Sequence, residues 1–135
     1  EQRFASRGIS FEVSAAPGTR VAGDPHRLRQ LLHNLLENSF RYAEQDGTVT
    51  LMLSATGQAE LVLDDTGPGV SDGQLERLFE RFFRVEESRS RATGGTGLGL
   101  SICRNIAEAH GGDIGASHSP SGGLRITVHL PLESS

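Results

Sequence analysis

The chain contains no lysine; all 13 of its basic residues are arginine. Any motif built around a lysine is therefore excluded. Cys103 is the single cysteine, so no internal disulfide can form, and the composition suits a reducing compartment. No stretch approaches the roughly 18 consecutive apolar residues of a membrane span, and the start carries no signal-peptide pattern. The piece is expected to be soluble on its own. Glu1 is not an initiator methionine, so the chain is also compatible with being cut from a longer membrane protein. Aromatic residues make up only 5%. The net charge of −4 argues against a broad nucleic-acid-binding face. Any polyanion must be captured locally, by arginines, backbone amides or a metal ion.

What is present is glycine, concentrated in GGTGLGLS from Gly94 to Ser101. Such a run can bring backbone N–H groups up to phosphates. It is not a Walker A loop: Gly94, Gly99 and Ser101 fit the spacing, but Leu100 occupies the lysine position. It is not a dinucleotide fingerprint either. Counting from Gly95 the third glycine falls on Leu100, and from Gly97 it falls on Ile102. A phosphate site here belongs to some other architecture.

The 135 residues predict one domain with a real core. Residues 1–8 read as a linker remnant and 9–133 as the domain. Ile9 to Ser14 alternate as a strand, with a short partner possible at Arg20 to Ala22 after Pro17-Gly18. Asp24-Pro25 is a helix start, Asp as N-cap and Pro at the first helical position, and the helix should reach Ala43. Thr48–Ser54 and Glu60–Asp64 alternate as strands. A short helix is expected within Gly73–Phe83. Leu98–Ala109 reads as a helix stopped by His110-Gly111-Gly112. Asp113–Ser117 and Leu124–Leu130 are the last strands. Short turns between neighbouring strands imply a mixed, mostly antiparallel sheet. The fold class is α+β, a two-layer sandwich with helices on one face.

Two segments carry candidate chemistry. Projected at roughly 100° per residue, Leu28, Leu32, Leu35, Leu36 and Ala43 form an apolar face, and Asn34, Asn38, Arg41 and Tyr42 cluster beside it. Asparagine amides at a core margin are costly if unpaired. Two readings stand: the amides bond backbone and solvent, or their oxygens help hold Mg²⁺, which keeps several waters and needs few protein ligands. Arg41 would then reach a phosphate and Tyr42 a ribose or base; otherwise they are a surface charge and a half-buried aromatic. The second segment, LVLDDTGPGV, ends a strand in a carboxylate and a flexible turn. A carboxylate only accepts hydrogen bonds, so Asp65 would favour an exocyclic amine and repel a carbonyl oxygen. Alternation turns Asp64 to the opposite side. The plain alternative is an ordinary D-T-G-P-G turn.

Taken in order, NLLENSFRY, DDTGPGV, LFERFFR and GGTGLGLS resemble the N, G1, F and G2 boxes of sensor histidine kinases. The match runs from about Gly8 to Glu133 and includes HGG and the closing ITVHLPLE. The wording of LLENS-x-RY, of FERF-x-R-x-E-x-SR-x-RA and of HSP-x-GG is most similar to BaeS-type envelope-stress kinases. The resemblance implies the Bergerat fold of the gyrase, Hsp90, histidine kinase and MutL superfamily, with ATP and Mg²⁺ as cofactors. It implies Asn38 as the principal Mg²⁺ ligand with Asn34 assisting. It implies contacts to phosphate and nucleoside from Arg41 and Tyr42, and adenine recognition by Asp65. Gly67, Gly69 and Val70 would line the base, and a mobile lid would span about 67–97. Phe79, Phe82 and Phe83 would anchor that lid. Arg84, Arg89 and Arg91 are candidates for the γ-phosphate, with a solvated charge run as the alternative for each. Gly95, Thr96, Gly97, Leu98, Gly99 and Leu100 would present the phosphate-facing backbone. Three positions depart from the usual boxes: Ser39 for alanine, Arg41 for lysine and Thr66 for asparagine.

None of His26, His33, His110, His118 and His129 has the acceptor context of a histidine kinase, and none has metal-like spacing. They read as structural or exposed. The resemblance therefore implies a catalytic, ATP-binding half. Its partners would be a separate histidine-bearing dimerisation domain and a response regulator. The full protein would sit in a bacterial inner membrane with this domain in the cytoplasm, and the isolated chain would be a monomer. ATPases of the superfamily carry a glutamate four residues before the key asparagine; here that position is Asn34, and Glu37 is turned roughly 100° from Asn38. This favours transfer to histidine over attack by water. The alternatives are an ATPase or chaperone module of the same fold, and a non-catalytic interaction domain.

Overall fold

The computed structural model describes residues 10–15, 23–42, 47–55, 57–67, 71–75, 77–80, 99–120 and 122–132. The strands are β1 (Ser10–Ala15), β2 (Thr48–Ala55), β3 (Ala59–Asp65), β4 (Asp113–His118) and β5 (Leu124–Leu130). The helices are α1 (Pro25–Tyr42), α2 (Asp72–Leu75) and α3 (Gly99–Ala109). The possible strand at Arg20–Ala22, the linker remnant 1–8 and Phe82 and Phe83 lie outside the described residues.

One five-stranded sheet has the order β1-β2-β3-β5-β4. Only β1 against β2 is parallel; the other three pairs are antiparallel. The last strand thus inserts between β3 and β4, which brings the two chain-distant ends of β3 and β5 together. Alternation decides the faces. Leu124, Ile126, Val128 and Leu130 of β5 are buried, while Arg125, Thr127 and His129 point the other way and are half-buried. In β3, Ala59, Leu63 and Asp65 face the helices. The core beneath them joins Leu31 and Leu35 of α1 to Cys103, Ile106 and Ala107 of α3.

Local chemistry sets the helix ends. Asp24 Oδ1 accepts from the His26 amide at 2.9 Å and its carbonyl accepts the Leu28 amide at 3.0 Å, a side-chain N-cap ahead of Pro25. At the end of α3, the Gly112 amide reaches Ala107 O at 2.9 Å and the Gly111 amide reaches Glu108 O at 3.1 Å. This Schellman closure needs a left-handed residue, supplied by Gly111 at φ 80°. The two helix ends are tied to each other. His110 Nδ1 donates to Ile106 O at 2.8 Å, and its Nε2 accepts the Asp24 amide at 3.1 Å. That pair of bonds requires the neutral Nδ1–H tautomer.

Of the short helix expected within Gly73–Phe83, the described residues show α2 at Asp72–Leu75; residues 76 and 81–83 lie outside them. Ser71 caps α2 reciprocally with Gln74: the Ser71 amide donates to Gln74 Oε1 at 3.0 Å and the Gln74 amide to Ser71 Oγ at 3.3 Å. Past Leu75 the bonds tighten to three-residue turns, Arg77 to Gln74 and Glu80 to Arg77, both 3.0 Å. The tighter winding accompanies burial of Leu78, which joins the core, with Phe79 packed against it.

Candidate functional site

The relative placement of α1, α3 and the sheet follows from a few contacts. The α1 start touches the α3 end through Asp24 and His110, and Cys103 Sγ lies 3.6 Å from Leu31 O. The helices therefore run antiparallel. Because both rise equally per residue, the start of α3 at Gly99 lies level with the Asn34–Asn38 turn of α1. Earlier in α1, Leu28, Leu31 and Leu32 share an apolar groove with Leu53, Leu61 and Leu130. Those three residues mark the end of β2, the start of β3 and the end of β5. The second half of α1 consequently runs over the opposite end of the sheet, where Asp65 closes β3.

Asp65, the α3 N-terminus and the asparagine turn thus share one end of the sandwich. Asn34 and Asn38 are both half-buried, one turn apart on α1, and Ser39 between the faces is buried at 4% exposure. Two amide oxygens one turn apart fit the donor set Mg²⁺ accepts when ligand phosphates and water complete it. Leu100 buries its side chain in the core, so only its backbone is available to a ligand. Ser101 beside it is also buried. α3 begins at Gly99, and a helix N-terminus favours anions through its dipole.

Asp65 is 4% exposed. Its Oδ1 accepts two backbone amides, Gly67 and Leu124, both at 3.1 Å. Two donors on one oxygen fix the rotation of the carboxylate. Thr66 turns back to the sheet: its Oγ1 accepts the Thr48 amide at 3.0 Å and its own amide donates to Thr48 O at 3.1 Å. Asp64 points to the other face, where Arg125 grips it with two bonds of 2.7 and 2.8 Å. That fork raises the Arg125 guanidinium further above its ordinary value, through hydrogen bonding to Asp64 against a small desolvation cost.

On the same outer face, His129 stands between Asp113 on β4 and Glu60 on β3. Nδ1 meets Asp113 Oδ1 and Nε2 meets Glu60 Oε2, each at 2.9 Å. Carboxylates only accept, so both ring nitrogens carry protons. The His129 pKa is raised by those hydrogen bonds, Asp113 first and then Glu60. His118 Nε2 contacts Asp72 Oδ1 at 2.6 Å, tying β4 to α2. Burial pushes the Cys103 thiol up to about 12. Reading the histidines as scattered missed the His129 bridge. No sequence signal pointed to it, because Glu60, Asp113 and His129 lie on three strands and meet only through the strand order.

Several expected contributors lie outside the described residues: the side chains of Arg41 and Tyr42, Gly69, Val70, Arg84, Arg89, Arg91, Gly95, Thr96, Gly97 and Leu98. Phe79 is half-buried against the core and Gly67 is buried beside Asp65.

The five-stranded sheet backed by α1 and α3, with Asp65 buried at the end of an inner strand, has the fold of histidine kinase ATP-binding domains. The comparisons agree. Residues 23–134 match the family described as histidine kinase-, DNA gyrase B- and HSP90-like ATPase. The chain belongs to that family, and within it to the catalytic domains of sensor histidine kinases. It is 56% identical to the signal transduction histidine-protein kinase BaeS of Escherichia coli (strain K12), over 98% of this chain and 28% of that protein. The mycobacterial sensor histidine kinase MprB superimposes with a TM-score of 0.84 at 32% identity, covering 99% of this chain and 91% of that one. Full-length ShkA in complex with AMPPNP gives 0.81 at 31% identity, over 99% of this chain and 28% of that one. The chain thus spans under a third of the length of BaeS. Among the described residues, no helix is long and apolar enough to cross a membrane.

Proposed function

We propose that the chain binds ATP·Mg²⁺ and donates the γ-phosphoryl to a histidine on a separate dimerisation domain of the same kinase. A response regulator then takes the phosphoryl group onto aspartate. The full protein is an inner-membrane sensor with this domain in the cytoplasm. The observation that carries the reading is Asp65: a buried carboxylate, held by two amides, on the helix side of the sheet at the same end as Asn34, Asn38 and the α3 start.

Each part has a defined task. Asp65 accepts a hydrogen bond from the adenine amino group and disfavours guanine, whose carbonyl oxygen would face it. Asn38, assisted by Asn34, would hold Mg²⁺, which screens phosphate charge when bound. Amides at the start of α3, from Gly97 to Leu100, face the phosphates. Arg41, Arg84, Arg89 and Arg91 supply countercharge, Tyr42 packs on the nucleoside, and residues 67–97 close as a lid. Gly67, Gly69 and Val70 border the base, Gly95, Thr96 and Leu98 continue the phosphate-facing backbone, and Phe79 anchors the lid. The chain positions ATP and orients its terminal phosphate; little covalent chemistry falls to its own side chains.

The test is direct. The chain is mixed with ATP, Mg²⁺ and a matching histidine-bearing domain, and acid-labile, base-stable phosphohistidine is sought on that domain. Label on the histidine is the expected result. Steady ATP hydrolysis without transfer, lost in Glu37→Gln, would replace the proposal with a water-using ATPase.

A further inference from the structure

We propose that Gly123 is a positioning residue for Asp65 and thereby a determinant of adenine selectivity; the inference rests on the nucleotide reading of Asp65. Gly123 precedes β5, 58 residues away in sequence from the carboxylate it contacts. The β4–β5 hairpin is closed by the Ser119 amide on Gly123 O at 2.8 Å and the Gly122 amide on Ser119 O at 3.0 Å. Ser119 itself is buried. This closure presses the hairpin flat against the end of β3. A Cβ at position 123 would come closer than 3.0 Å to Asp65 Oδ1, to the Asp65 carbonyl oxygen and to the Gly67 nitrogen. Two of those three atoms are backbone, so no rotamer change relieves the overlap. Gly123 is not among the glycines with positive φ, so space and not backbone strain demands glycine here.

The close approach has a consequence one residue on. It lets the Leu124 amide reach Asp65 Oδ1 at 3.1 Å, opposite the Gly67 amide on the same oxygen. The carboxylate is therefore oriented from two sides, by its own turn and by a strand that returns from the far end of the chain. A methyl group at 123 drives the hairpin off, lengthens the Leu124 bond and lets the carboxylate rotate. Hydrogen bonds weaken steeply with misalignment, and small displacements of a positioning group carry large effects. Affinity for the base and preference for adenine fall together.

The experiment is calorimetric titration of the 135-residue chain with ATP·Mg²⁺ and GTP·Mg²⁺, in four forms: wild type, Asp65→Ala, Gly123→Ala and Gly57→Ala. Gly57 has φ 83° and open space around it, in the β2–β3 turn at the other end of the sheet. Its substitution strains the backbone without touching the site. Gly123→Ala should lose about tenfold in ATP affinity and a similar factor in ATP-over-GTP preference, while Gly57→Ala keeps the wild-type preference despite lower stability. If Asp65→Ala loses ATP and Gly123→Ala binds and discriminates like wild type, the positioning role is wrong and the site reading survives. If Asp65→Ala binds like wild type, both fall. Should Gly123→Ala not fold, hydrogen exchange on the wild type decides. ATP, but not inorganic tripolyphosphate, should slow exchange at the Leu124 amide; an unchanged rate overturns the inference.

Discussion

Arg125→Met should destabilise the domain by more than Asp64→Leu, although the two changes break the same ion pair. The residues face each other across β3 and β5. The guanidinium meets the carboxylate through two parallel bonds of 2.7 and 2.8 Å. Their surroundings differ: the Asp64 side chain is 11% exposed and that of Arg125 33%. Removing the arginine strands a carboxylate that water barely reaches, beside Thr50 on its other flank. Breaking a buried pair in this way costs about 3–5 kcal/mol; partial access through the Arg125 side lowers that to about 2–3 kcal/mol. Removing the aspartate leaves an arginine that can turn to solvent, for about 1 kcal/mol. For a chain of this size, 1 kcal/mol corresponds to about 4 °C in Tm, so the shifts separate clearly. The double variant should recover most of the loss, since replacing a pair with apolar groups is often near neutral. Urea unfolding of the four proteins at one pH, with unchanged m values, measures the cycle. Equal losses in the two single variants, or a coupling below about 0.5 kcal/mol, would refute the reasoning.

Asp65→Ala should cost about 1.5–3 kcal/mol of ATP affinity, the scale of a hydrogen bond to a charged group; titration calorimetry would sink the adenine role if affinity held. Asn38→Ala should remove the Mg²⁺ dependence of nucleotide binding, and a metal titration matching wild type would displace Asn38 from that role. His129 has a folded-state pKa raised above its ordinary value near 6.5. Its contribution to stability is therefore complete below about pH 6.5 and lost as pH rises through the raised value. The stability gap between wild type and His129→Ala should shrink over that window. A gap that widens with pH would contradict the double hydrogen bond, whose other charged neighbours on the same face are Asp64 and Arg125. Cys103, fully buried with its thiol pushed up to about 12, should resist alkylation at pH 8 until the protein unfolds. Rapid labelling of the native chain would mean the α1–α3 interface opens.

By itself the sequence determined what depends on neighbours along the chain. Asp24-Pro25 started α1 because a cap and a fixed φ act within one turn, and His110-Gly111-Gly112 ended α3 for the same kind of reason. Alternation of apolar and polar residues marked β2 and β3, and the four glycine-, asparagine- and phenylalanine-rich boxes carried the family. The short helix after the D-T-G-P-G turn falls at Asp72–Leu75, at the start of its expected range, where Ser71 and Gln74 cap each other. Only the tertiary structure decided which distant groups meet. Inserting β5 between β3 and β4 gave Asp64 its arginine, His129 its two carboxylates, and Asp65 the Leu124 amide with Gly123 packed beneath it. Strand pairing across some sixty residues is fixed by the burial of a shared face. A pattern read along one strand holds no record of which strand will lie beside it.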